Sequence, residues 1–113
     1  MINDKNKVEA FLRQFMPKFD VWGIFFLDRE KNRETLLQLN MSPREREDII
    51  REITSDDYIE TITDTMNWGE MWVFGKDVKS RELYIKIALG DTKSKTICIS
   101  FHIAEYPIAY AFK

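Results

Sequence analysis

Tyr84, Lys86, Ser100 and His102 are the residues whose types and spacing bear on chemistry, and His102 is the only histidine of the chain. They lie in "RELYIKIAL" (81–89) and "KTICISFHIA" (95–104), where every second residue is apolar. Such alternation marks strands with one buried face, and it sets these four on the other face. A tyrosine, a lysine and a histidine on one surface can do phosphodiester chemistry without a metal. Cleavage of RNA by its own 2′-hydroxyl needs a base for that hydroxyl. It also needs a cation for the charge growing on the phosphoryl oxygens and an acid for the leaving 5′-oxygen. Histidine suits the acid role because its unperturbed pKa lies near neutrality. Lysine suits the cation role, and tyrosine can position the phosphate or stack a splayed base. The plain alternative is the wet face of an ordinary sheet, which often carries the same residue types.

Other chemistries are poorly supplied. A zinc site takes three or four His, Cys or carboxylate ligands, and one His with one Cys falls short. Cys98 and His102 share the polar face in this reading, but four strand residues hold them roughly 13 Å apart, too far for a nucleophilic pair. Cys98 reads as a small, inert, half-buried residue. Asp56 and Asp57 read as helix-start residues rather than metal ligands. No glycine-rich phosphate loop occurs among four glycines. No metal and no cofactor is expected.

The elements that must hold the four residues follow from pattern. The stretch "GDTKSK" (90–95) supplies turn residues between the two alternating runs, so 81–104 is a β-hairpin. Directly opposed residues in a regular antiparallel pair have a constant sum of numbers. A sum of 186 sets Tyr84 opposite His102 and Lys86 opposite Ser100; a sum of 184 slips the pairs one step along the same face. A β-bulge would upset this count. Upstream, Val8, Phe11, Leu12, Phe15 and Met16 form a helix face that Pro17 should end. Residues 21–28, "VWGIFFLD", read as a buried strand, and 29–39 as a short helix with Leu36, Leu37 and Leu39 inward. Ser42, Pro43 and Glu45 form a helix start with a capping box, and Ile49, Ile50 and Ile53 follow on the core side. Thr54 reads as the cap of a further helix. Residues 66–75 read as a strand, and 106–113 as a final edge strand with Pro107 at its start. Helices with one strand, then a run of antiparallel strands, make an α+β domain.

Length allows one domain, 1–113. With 44% hydrophobic and 13% aromatic residues a core can be built. No apolar run approaches the roughly 18 residues that cross a bilayer, and "MINDKNKVEAF" is too charged for a signal peptide. A cytoplasmic protein with no membrane partner is expected. The net charge of −2 argues against a general nucleic-acid binder. Charge is uneven, however. Residues 28–70 carry six Lys/Arg against twelve Asp/Glu, while 76–95 carry Lys76, Lys79, Arg81, Lys86, Lys93 and Lys95 against three acids. The basic segment is a candidate phosphate-binding patch; alternatively its lysines only solvate strand edges.

Several motifs resemble the MqsR-type toxins of bacterial toxin–antitoxin systems, within the RelE-like ribonuclease group. They are Asp57-Tyr58 after a helix, Trp72 opening the sheet, "YIKI" (84–87) and "ISFH" (99–102). The similarity runs from about residue 35 to Pro107 and leaves the chain end outside it. The resemblance implies N-terminal helices packed on a curved, mainly antiparallel sheet. It implies a metal-independent, sequence-selective mRNA endoribonuclease acting on single-stranded mRNA and neutralised by a cognate antitoxin. Tyr84 falls on the family's catalytic tyrosine. His102 falls where the family has a catalytic lysine, and RelE relatives often use a late histidine as general acid. Two further family positions depart: a lysine falls near Glu60 and a glutamine at Val73. Lys76 and Lys86 are the candidate substitutes for these positions; Lys86 is the expected catalytic cation, and Lys76, Lys79 and Arg81 are the expected RNA-binding residues. Glu60 and Val73 favour an alternative, a non-catalytic protein- or RNA-binding module on the same fold.

Overall fold

The structure, a computed structural model, describes residues 1–113. Helix α1 (Lys5–Trp22) leads through a short strand β1 (Ile24–Phe26) to α2 (Glu30–Gln38) and α3 (Pro43–Arg51). A 3₁₀ turn at Ser55–Asp57 opens β2 (Tyr58–Asp64), followed by β3 (Gly69–Val78), β4 (Arg81–Ala88) and β5 (Thr96–Ile103). The five strands form one curved sheet in the order β1-β5-β4-β3-β2. All neighbours are antiparallel except β1, which runs parallel to β5. The architecture is α+β, as the order of elements implies. No helix is long and apolar enough to cross a membrane.

Helix α1 begins where the Asp4 side chain accepts from the Lys7 N–H at 2.9 Å. It runs through Pro17 instead of stopping there. Val8, Phe11, Phe15 and Phe19 make one buried stripe that continues past the proline. Pro17 lies on the exposed side, where the carbonyl it deprives of a partner meets water. Burying Phe19 is worth about 1.5–3 kcal/mol, comparable with the cost of an interior proline. The stripe packs on the inner sheet face, with Phe11 stacked on Trp72 at 4.5 Å. Tyr58, Phe74, Leu83, Ile85, Ile87 and Phe101 complete this core. The capping box of Ser42 and Glu45 is present, and Ile50 and Ile53 are buried.

Several expectations need correction. Residues 21 and 22 belong to α1, and the strand that follows is three residues long and half-exposed at the sheet edge, with Phe25 outward. Helix α2 turns Asn32 and Thr35 inward and leaves Leu37 82% exposed. The reason is hydrogen bonding. Beyond β1 the edge of β5 has no strand beside it, and α2 side chains take that place. Asn32 Nδ2 donates to Ile99 O at 3.1 Å and its Oδ1 accepts from Phe101 N at 2.9 Å; Thr35 Oγ1 accepts from Ile103 N at 3.2 Å. Thr54 opens only one turn, because Tyr58 starts β2. Residues 65–68 are a turn rather than strand, and 104–113 form an extended tail with no ladder of its own.

The largest correction concerns β5. Its pairing with β4 shifts between Lys86 and Ile87, so Ile87 faces Cys98 and Ala88 faces Ile97. This bulge at Ile99 reverses the facing of everything before it. Cys98 joins the main core, while Ile97 and Ile99 pack on the outer face with Met71 and Ala88. Cys98 is therefore wholly buried and does not share a face with His102.

Candidate functional site

Beyond the bulge the hairpin is regular, and it pairs Tyr84 with His102 and Lys86 with Ser100. The outer sheet face thus carries these four together. The rings of Tyr84 and His102 stack at 5.3 Å between centroids and 19° between planes. Lys86 Nζ lies 5.8 Å from the Tyr84 ring centroid. His102 Nδ1 is 3.0 Å from Ile103 O. A carbonyl only accepts, so Nδ1 carries the proton in that bond. Nε2 is then the nitrogen left for a substrate.

The four residues line a cleft of ≈ 760 Å³. One wall is the start of α2, from Arg29 to Asn32, and the other is the tail from Ala104 to Ala109. The tail is pinned by Glu82, whose carboxylate accepts from Ile108 N at 3.1 Å and from the Tyr110 hydroxyl at 3.2 Å. Gly75 lets it lie flat on the sheet, since a Cβ there would come within 2.7 Å of Tyr110 Oη. Lys31 and Glu105 form an ion pair that joins the two walls.

Burial sets the electrostatics of the cleft. It holds the Lys86 ammonium below its ordinary range, and Arg29 presses the same way, while Glu60 and Asp64 oppose. Burial, with Glu60 behind it, pushes the Tyr84 phenol above its usual value, so it stays a protonated donor at neutral pH. Cys98 is pushed up to about 12 by complete burial and is inert. The departures Glu60 and Val73 are cross-strand partners, and Val73 is also opposite Lys86. Glu60, Val73, Lys86 and Ser100 therefore form one row across the outer face.

The other basic residues lie elsewhere. Lys76 is on the inner face of β3, where its Nζ donates to Asp57 at 3.0 Å and to Glu52 O at 3.1 Å. Lys79 occupies the β3–β4 turn and donates to Leu39 O at 2.8 Å. Arg81 is exposed at the start of β4. The fold does not bring these three into the cleft. Conversely, Arg29 and Tyr106 line it and were not singled out from sequence. Arg29 sits in a charged run that looks like any solvated helix start. Tyr106, 80% exposed at the rim, lies in the chain end. Comparison with known proteins identifies no relative: no family model, no curated protein and no solved structure matches the chain.

Proposed function

We propose that this protein is the toxin of a toxin–antitoxin pair, a metal-independent and sequence-selective mRNA endoribonuclease of the MqsR type acting in the cytoplasm. The observation that carries this reading is the stacked Tyr84–His102 pair beside Lys86 inside a cleft. In this mechanism the substrate 2′-oxygen attacks phosphorus and the bond to the 5′-oxygen breaks. Solvent takes the proton of the 2′-hydroxyl. His102 acts as the imidazolium: Nδ1–H stays on Ile103 O while Nε2–H gives its proton to the leaving 5′-oxygen and is reloaded from solvent. Lys86 offsets the charge on the phosphoryl oxygens, and the Tyr84 phenol positions the phosphate. The product is a 2′,3′-cyclic phosphate. A cognate antitoxin is the expected protein partner, and the segment Asp56–Glu70, with five acids and no base, is one surface it can use.

Glu60 favours a second reading. A carboxylate in the same row as Lys86 repels phosphate, which fits a binding module of the same fold without nuclease activity. The deciding experiment incubates purified protein with single-stranded RNA in excess chelator and maps the ends. Cleavage with cyclic phosphate ends supports the nuclease. Activity lost to chelator and restored by magnesium overturns the mechanism, and uncut RNA under both conditions supports the binding module.

A further inference from the structure

Three lysines are half-buried: Lys18, Lys76 and Lys86. Lys18 Nζ donates to Leu89 O at 2.5 Å, and Lys76 is held by Asp57 and Glu52. Lys86 alone has neither a hydrogen bond nor an ion pair within the chain, and it is the one that lines the cleft. A partly buried ammonium without a partner is costly. Directly opposite it in the ladder, Ser100 is only 3% exposed. Its hydroxyl makes no hydrogen bond within the chain, and it too faces the cleft. Its oxygen opens onto the cleft, so the hydroxyl is free to donate to a ligand there. From the α2 wall Arg29 adds a second cation with no carboxylate on it. The two cations press against each other, and with the free hydroxyl they open onto one space that an anion can fill.

We propose that Ser100, Lys86 and Arg29 form a subsite for a phosphate group at the α2 end of the cleft. Two of the donors rise from the sheet floor and the third comes from the α2 wall, which suits a tetrahedral anion with oxygens in several directions better than a planar carboxylate. Guanidinium and ammonium give charge-assisted bonds to such oxygens. The cleft is far larger than a phosphate ion, so the group belongs to a bigger molecule. As a grip on RNA the subsite rests on the nuclease reading; as an anion site it has its own test.

That test titrates inorganic phosphate, at constant ionic strength in chloride, into the whole protein and follows backbone amide shifts by NMR. Saturable shifts at residues 29–32, 86 and 100–102 are expected. Arg29→Ala and Lys86→Ala should each weaken binding about tenfold or more. Ser100→Ala should weaken it several-fold, and Lys76→Ala should leave it unchanged. Uridine 3′-monophosphate should bind the same residues more tightly. Arg29 is exposed, so its variant keeps the fold, and a thermal melt confirms this for each protein. Unchanged affinity in folded Arg29→Ala and Lys86→Ala, or shifts that never saturate, overturns the subsite. Phosphate binding here by a protein that leaves RNA uncut keeps the subsite and removes the nuclease.

Discussion

Replacing Asn32 by alanine should destabilise the protein by about 2–4 kcal/mol. The side chain is 3% exposed and makes three hydrogen bonds: to Leu27 O at 3.0 Å, to Ile99 O at 3.1 Å and from Phe101 N at 2.9 Å. Leu27 O keeps a second partner in the Arg29 N–H at 3.0 Å, so its loss is small. Ile99 O and Phe101 N lose the partner that stands in for a neighbouring strand. Each buried group left unpaired costs about 1–3 kcal/mol. Alanine's better helix propensity returns only about 0.5 kcal/mol. The net figure is a large share of a stability that is typically about 5–15 kcal/mol. Asn32→Asp should cost at least as much, because it keeps the acceptor but turns a carboxylate oxygen toward two carbonyls. Leu37→Ala, on the same helix but 82% exposed, should stay within about 0.5 kcal/mol. Urea unfolding followed by tryptophan fluorescence measures all three, with equal slopes as the check that the denatured state is unchanged. A loss below about 1 kcal/mol for Asn32→Ala, or a Leu37→Ala variant as weak as Asn32→Ala, would refute the view that α2 serves as a surrogate strand for β5.

Two further outcomes follow from the site and the core. His102→Gln should lower kcat/KM for RNA by about 10²–10⁴-fold with an unchanged thermal melt; Tyr84→Phe should also lower it, and the double variant should lose less than the product of the two, since both act on one phosphate. A folded His102→Gln protein that cuts at the wild-type rate removes the general-acid role. Cys98 makes stability fall at alkaline pH: its thiol ionises near 9.0 in the unfolded chain and at about 12 when folded, so the contribution is complete below pH 9 and is lost as pH rises toward 12. Between pH 8 and 10 the wild type should lose about 1 kcal/mol more than Cys98→Ala, and an equal loss of stability in the two proteins in denaturant titrations would contradict it.

The features that could be read from sequence are those satisfied by near neighbours. The Ser42–Glu45 capping box joins residues three apart. The 81–104 hairpin is written in a period of two, and with it the placing of Tyr84, Lys86, Ser100 and His102 on one face. Tertiary structure decided what depends on distant partners. The bulge at Ile99 sent Cys98 to the core although 95–104 alternates without a break. Asn32 and Thr35 displaced Leu37 from the interior because β5, nearly seventy residues on, needed hydrogen bonds more than α2 needed another apolar contact. Lys76 and Lys86 look alike in a basic segment, yet strand parity sends one to Asp57 and the other to the cleft. Arg29 enters that cleft only because α2 and the tail close around the sheet. Periodicity and caps are local and survive in one dimension; polar burial, register shifts and the walls of a cleft are settled by groups that only the folded chain brings near.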